Sequence, residues 1–582
     1  MADPEVSEAE TKTKTKTSPR PPLWFRLLFA VGGALVALLI AAVAIALWAW
    51  RYTEPTWLWP AVAAASTVAL LVLLAPPTRR RLCARTYASL VRFRRGGALL
   101  LLSAAALMLV PLLRSPSAPP VAEPVARGEA IAVVGGGAAG VHATWMLLQA
   151  GHDVVLYEAA NYIGGHAYSA PFETASGAIV DLDMGFLFGS PQGYQDLKVL
   201  MALVGAERVY GDVGFAAEVD GFAWNTDVEA ARDPEIERFH RAIAGAYADD
   251  SLDFVPFGWW LRRHGFDATF RRRYLTPYLT LLFLNPDGFY NYSTRFMASM
   301  FDGPDKYLDL RAPWHAWSVA GGSARYYRAL TEPFAARIRL GHPVVGVTRG
   351  PDGVTLTAVG PDGEAIEARY AAVILAIPPD VARTIVGDLS PFEDWVLAQV
   401  RYGSSEVILH TDTGALPPAA ARRTYNWRQD AAWGDAFELS AELGPIVSPD
   451  VPLEPAAIGT LNPQRPIDGV RERKIWRHLV QDVWHFVAMF GPMPDLQGRG
   501  GIWYAGSWTS YIGHESAMRS GIQAACAAAS LPAEVAASPG DECLKVQVKD
   551  AIPEVGVTAE TVEICGASGA YAYLWRRHCS GD

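Results

Sequence analysis

Six consecutive residues, Gly135-Gly136-Gly137-Ala138-Ala139-Gly140, have the types and spacing needed to hold a pyrophosphate. In such a G-x-G-x-x-G loop Gly135 permits a tight turn and Gly137 lets backbone N–H groups approach a phosphate. Gly140 lets the following helix pack against its strand. Glu158 stands 18 positions past Gly140, where a carboxylate would accept hydrogen bonds from a ribose. Far along the chain, His514 offers an imidazole able to move a proton or orient a substrate. Glu515 next to it suits the first turn of a helix, whose N-terminus carries partial positive charge. Arg519 could bind an anionic group, although a salt bridge is the preferred reading.

These residues need elements to position them. Ile131–Val134 is a short β-branched run and predicts a buried parallel strand directly before the glycines. A helix is expected from about Val141 to Ala150, closed by Gly151. Val154–Tyr157 predicts a second strand ending at Glu158. Strand, glycine loop, helix, strand and acid in that order are a far more specific signal than the loop alone. Gly501–Trp508 reads as a strand and a glycine turn, with a helix starting near Glu515. Pro343–Thr348 and Val354–Val359 predict a hairpin turning at Asp352-Gly353, and Ala372–Ala376 another buried strand. Residues 190–310 read as mostly helical, and 400–490 add strand-like alternation.

Beyond the fingerprint, the chain resembles the flavin-containing amine oxidase superfamily. Gly164-Gly165-His166-Ala167 and Ala505-Gly506-Ser507-Trp508 carry the resemblance. Further stretches are similar to one branch, the FAD-binding proteins found beside cyclopropane-fatty-acid synthases. They are Asp183–Phe186, Phe270–Pro277, Trp317–Ser323, Asn426-Trp427, Thr460–Pro463 and His514–Gly521, within roughly residues 129–530. The resemblance implies FAD as cofactor. It places Gly164 and Gly165 along the phosphates, Val344 on the adenine side, and the backbone of Ala517 and Met518 against the flavin ring. His166 replaces an arginine common in the superfamily and would touch the cofactor. The expected cofactor contacts are therefore Gly135, Gly137, Ala138, Ala139, Gly140, Glu158, Gly164, Gly165, His166, Val344, Gly506, Ser507, Glu515, Ala517 and Met518, with His514 as the catalytic candidate. Asn426 and Trp427 could line the substrate pocket. One departure stands out: Gly513 occupies a position where amine oxidases place an aromatic ring facing the flavin, although Tyr511 is near.

The implied fold class is α/β. It comprises a Rossmann-like FAD-binding domain (129–190, 318–400, 498–530) with an interleaved α+β substrate domain (191–317, 401–497), preceded by two to three transmembrane helices. The membrane expectation rests on apolar runs at Leu27–Trp50, Trp57–Ala75 and Gly96–Leu113, measured against the roughly 20 residues a spanning helix needs. Lys and Arg cluster before the first run and between the second and third. That pattern puts those segments on the cytoplasmic side of a multi-pass, bacterial inner-membrane protein and leaves the side of the catalytic domain open. Residues 1–22 read as a disordered tail, 23–113 as the membrane region, 114–128 as a linker and 531–582 as a C-terminal tail. A net charge of −10 argues against nucleic acid as a partner. The five cysteines form no CxxC pair or zinc spacing, so no metal is expected and free thiols are the preferred reading.

Three functional readings follow. The first is an FAD-dependent oxidoreductase that oxidises, desaturates or isomerises an unsaturated lipid acyl chain by hydride transfer to flavin. The second is an amine or amino-acid oxidase producing peroxide. The third is a non-catalytic flavin-binding membrane scaffold.

Overall fold

Five short apolar segments build a parallel sheet: β1 (Ala130–Val134), β2 (Asp153–Glu158), β3 (Ile338–Leu340), β4 (Ala372–Leu375) and β5 (Ile502–Tyr504). Their order is β5-β4-β1-β2-β3, and each neighbouring pair is parallel. β4 and β5 are wholly buried, and β1 is buried from Ile131 onward. Parallel strands covered on both faces read as continuous apolar runs for this reason. The computed structural model describes residues 119–226, 233–284, 288–303, 306, 308–447, 453–535, 541–551 and 558–580.

Helix α1 (Ala138–Gln149) follows Gly137 at once, three residues earlier than its apolar pattern suggests. The small residues Ala138, Ala139 and Gly140 bury themselves in the turn and so carry no amphipathic signal. Helices α2 (Gln195–Leu203), α3 (Ser323–Thr331) and α4 (His514–Ala528) surround the same region. α4 crosses α1 at very short range. A Cβ on Gly521 would lie 1.9 Å from the Ala139 carbonyl oxygen, so only glycine lets the two backbones meet.

A second, seven-stranded sheet has the order Glu472–Val480, Arg401–His410, Ile458–Leu461, Glu438–Glu442, Tyr425–Gln429, Phe215–Val219 and Phe222–Asn225. All its pairs are antiparallel except Tyr425–Gln429 with Phe215–Val219. The region expected to be mostly helical therefore supplies two strands to a sheet. Pairing with a segment about two hundred residues away overrides its local pattern. The hairpin at Asp352-Gly353 forms, joining Val344–Gly350 to Gly353–Val359.

The C-terminal segment is not a loose tail. Strands Cys543–Lys549 and Glu560–Cys565 form an antiparallel hairpin, and helix α5 (Gly566–His578) follows. Val546, Val548, Ile564, Tyr571 and Leu574 join the core that also holds α1 and α4. Disulfides Cys526–Cys579 and Cys543–Cys565 replace the free thiols expected. The cysteines of each pair are far apart in sequence, and only the folded hairpin and helix bring them together.

The expected fold class is corrected on one point. No helix among the described residues is long and apolar enough to cross a membrane. The longest one described here, α4, has 15 residues. At 1.5 Å per residue it spans about 22 Å, short of a hydrocarbon core about 30 Å thick. The apolar runs at 27–50, 57–75 and 96–113, with the expected N-terminal tail, the membrane region and residues 114–118 of the linker, lie outside the described residues.

Candidate functional site

The loop between β1 and α1 is built for a phosphate. Gly135 has φ +104°, and its N–H donates to the Tyr157 carbonyl, which ties the turn to β2. Val141 N–H makes the first bond into α1, to the Gly137 carbonyl, and no side chain caps the helix at Gly137. The helix N-terminus is thus left for an anion. A Cβ on Gly140 would sit 1.8 Å from the Gly135 carbonyl oxygen, which makes glycine a packing requirement there. At Gly137 it would be 4.0 Å from the nearest atom, so the protein itself has room for a side chain. That space fits a group lying on the bare backbone. Glu158 accepts from Gly136 N–H at 2.5 Å and from Ala160 N–H at 2.7 Å. Each oxygen keeps a lone pair for a ribose hydroxyl.

From this loop a cavity of about 570 Å³ runs toward the seven-stranded sheet. Its phosphate end is lined by Gly137, Ala138, Ala139, Gly164, Gly165 and His166. Gly506, Ser507, Gly513, His514 and Ala517 form the wall contributed by the turn after β5 and the start of α4. The far end is aliphatic. Val407, Leu409, Leu439, Ala441 and Leu461 occupy alternate strand positions and turn one face of the sheet inward. Phe186, Phe188, Tyr425 and Trp476 add aromatic surface.

His514 begins α4, and its Nε2 is 2.8 Å from the Tyr327 hydroxyl on α3. Its ring stacks on Phe186 with centroids 4.3 Å apart. Loss of hydration, then the neighbouring His142 and His166, lower its pKa to about 3, so the ring is neutral at pH 7. His166 stacks on Trp476 at 4.6 Å and faces His478 at 5.4 Å. Asp183 lines the cavity but is turned into structure. It accepts from Ser169 Oγ, Ser323 Oγ and Ser323 N–H, capping α3, and burial raises its carboxyl to about 6.

Several of the expected residues lie outside the cavity lining. Glu515 does not line the cavity. Its carboxylate accepts from the Asp196 and Leu197 N–H groups and from Arg519, so it caps α2, which has no cap of its own. Met518 has its side chain fully buried in the core, and Val344 starts the first strand of the hairpin at Asp352-Gly353, outside the lining. Arg519 forms salt bridges to Asp196 and Glu515. Asn426 and Trp427 line a separate cavity; the Asn426 amide is spent on Arg423 and Ser440 backbone atoms, and Trp427 stacks on Phe437. Tyr511 is 39% exposed, packs on Phe296 and is not part of the lining. Tyr327, Trp476, His478 and Tyr425 are site residues that no motif or spacing announced.

Residues 138–431 match the family described as flavin containing amine oxidoreductase. The chain belongs to this family. AofH of Mycobacterium tuberculosis, named as a flavin-containing monoamine oxidase, is 27% identical over 346 residues, which is 55% of this chain and 70% of that protein. Two solved structures are also similar. A fatty acid isomerase from P. acnes shares 16% identity over 68% of this chain and 97% of its own, with a TM-score of 0.49. Cyclohexylamine oxidase from Brevibacterium oxydans shares 18% over 69% and 99%, with a TM-score of 0.48. As a member of the flavin-containing amine oxidoreductases, the protein is an FAD-dependent oxidoreductase. The bare Gly137 backbone, the uncapped α1 N-terminus and Glu158 fit the dinucleotide part of that cofactor.

Proposed function

We propose that this flavin-containing oxidoreductase oxidises, desaturates or isomerises an unsaturated lipid acyl chain. The aliphatic wall of Val407, Leu409, Leu439, Ala441 and Leu461 carries the reading. An alkyl chain gains free energy by leaving water for such a surface, whereas a small polar amine gains little. Gly513 supports the same reading. A Cβ there would meet nothing within 4 Å, so the wall stays open where a ring would narrow it.

When bound, FAD supplies the hydride acceptor. Gly137, Ala138, Ala139, Gly164 and Gly165 would hold its phosphates, and Glu158 a ribose. Gly506, Ser507, His514 and Ala517 would form the wall beside the ring. The chain's own contribution to the reaction is to orient the acyl chain along the sheet, exclude water with apolar side chains and present His514 as a neutral polar group.

Amine oxidation is the second reading, favoured by the aromatic surface of Phe186, Phe188, Tyr425 and Trp476. Anaerobic titration of the FAD-loaded protein separates the two. Bleaching near about 450 nm, the oxidised-flavin band expected for this cofactor class, by unsaturated acyl lipids and not by amines is the expected result of oxidation or desaturation, and a shifted double bond in the recovered lipid with the flavin left oxidised is that of isomerisation. Bleaching by amines alone would replace the lipid reading with the amine one.

A further inference from the structure

Two adjacent tyrosines on α3 each hold a histidine, and in the first pair the hydrogen-bond directions are forced. His142 Nδ1 lies 2.6 Å from the Ala138 carbonyl oxygen, which can only accept, so Nδ1 carries the hydrogen. Nε2 is then an acceptor, and the Tyr326 hydroxyl 2.6 Å away donates to it.

The second pair repeats this layout at the cavity wall. Tyr327 is fully buried, and its hydroxyl has the His514 Nε2 at 2.8 Å as its hydrogen-bond partner among the described residues. Were Nε2 to carry the hydrogen and donate, the phenolic hydrogen would be buried without an acceptor. If the hydroxyl donates instead, only an oxygen lone pair goes unused, which is the smaller loss. Phe186 stacked at 4.3 Å and the Tyr327 ring edge at 5.7 Å fix the ring plane. His514 Nδ1 has no hydrogen-bond partner among the described residues, and the residue lines the cavity.

We propose that Tyr327 is a positioning residue that holds His514 as the Nδ1–H tautomer, so that the cavity receives a fixed hydrogen-bond donor and not a base. The group it serves is an acceptor atom, a carbonyl or ring nitrogen of the flavin or a carbonyl or carboxylate oxygen of the substrate. The identity of that acceptor rests on the function proposed above; the tautomer does not. The titratable groups around His514 are Tyr327 on α3, His142 on α1, His166 in the loop after β2, and Glu515 on α4. Glu515 is turned away toward α2.

The test uses the full chain carrying 15N-histidine, with and without FAD, and reads the ring-nitrogen chemical shifts. His514→Gln identifies the His514 signals by their disappearance. A protonated Nδ1 and an unprotonated Nε2 at pH 7, unchanged down to pH 5, are expected. An Nε2–H tautomer, or a cation in that range, overturns the proposal. Tyr327→Phe should mix the two tautomers, and if it fails to fold, the unsubstituted protein's spectrum still decides. Activity adds a second readout on whichever substrate bleaches the flavin. His514→Asn places an amide donor near the Nδ1 position and should stay within about tenfold of the parent, while His514→Leu should lose about a hundredfold or more, the range for removing a preorganised donor. Equal losses in both variants would mean that a base is required and would overturn the donor role. If no lipid bleaches the flavin or is isomerised, the proposed function fails while the tautomer measurement stands.

Discussion

Gly137 and Gly140 are the same residue type three positions apart, yet the structure gives them opposite reasons. Gly140 is glycine because the protein backbone occupies its Cβ position, whereas at Gly137 the protein leaves that space free, which fits a group lying on the bare backbone. Gly137→Ala should therefore fold normally, with an unchanged melting temperature in the cofactor-free protein, and lose most of its bound flavin. Gly140→Ala should melt lower even without cofactor. Thermal melts and the visible absorbance of purified protein check both. At this scale the sequence was legible wherever a residue acts through its backbone within a local motif. It was less legible for side chains. Glu515 lies on the expected helix, but its side chain caps α2. Tyr327 was invisible, because the distance that matters joins it to a residue 187 positions away.

Among the elements, α4 is tied to both α2 and α5. Asp196, wholly buried at the start of α2, receives Arg519 of α4 at 2.7 Å, and Arg577 and His578 of α5 at 2.9 and 2.8 Å. Burial alone would raise its pKa. The hydrogen bond from His578 and the nearby charges outweigh that and hold it at about 2. Replacing Asp196 by Ala leaves these partners facing an apolar gap, and a loss of about 3–5 kcal/mol in denaturant unfolding is expected. The disulfide Cys526–Cys579 fastens the last turns of α4 to the end of α5. Four of the five cysteines should therefore resist alkylation under denaturing conditions until a reductant is added, as mass spectrometry would show. Helix α1, strands β1, β2, β4 and β5 and the hairpin at Asp352-Gly353 could be read in advance, since each is a local periodicity bounded by turn residues. The C-terminal hairpin and α5 could not. They gain stability by packing against α1, α2 and α4, of which α1 and α2 lie far away in the chain.

The molecule as a whole should weaken in mild acid. Burial lowers His142, His240 and His410 to about 4, and His478 and His514 to about 3. Unfolded histidines titrate near about 6.5, so from there down to about pH 4 the unfolded chain takes up protons that the folded one refuses. Stability then falls as pH falls. Asp183 and Glu515 act the other way. Their folded carboxyls are raised, both by burial and Glu515 also by the charge of Asp196, so they bind protons more readily folded than unfolded. Five histidines outnumber two acids, so a lower melting temperature at pH 4.5 than at pH 7 is the expected outcome of a thermal scan. By itself the sequence determined the dinucleotide loop, its flanking strands and helix, and the family, because a phosphate is held by backbone groups within one short segment. Only the tertiary structure decided which face of the seven-stranded sheet turns inward, what His514 touches and how the C-terminal cysteines pair. Those depend on contacts between residues distant in the chain, 53 and 22 positions for the cysteine pairs and 187 for Tyr327 and His514, where no local periodicity records the partner.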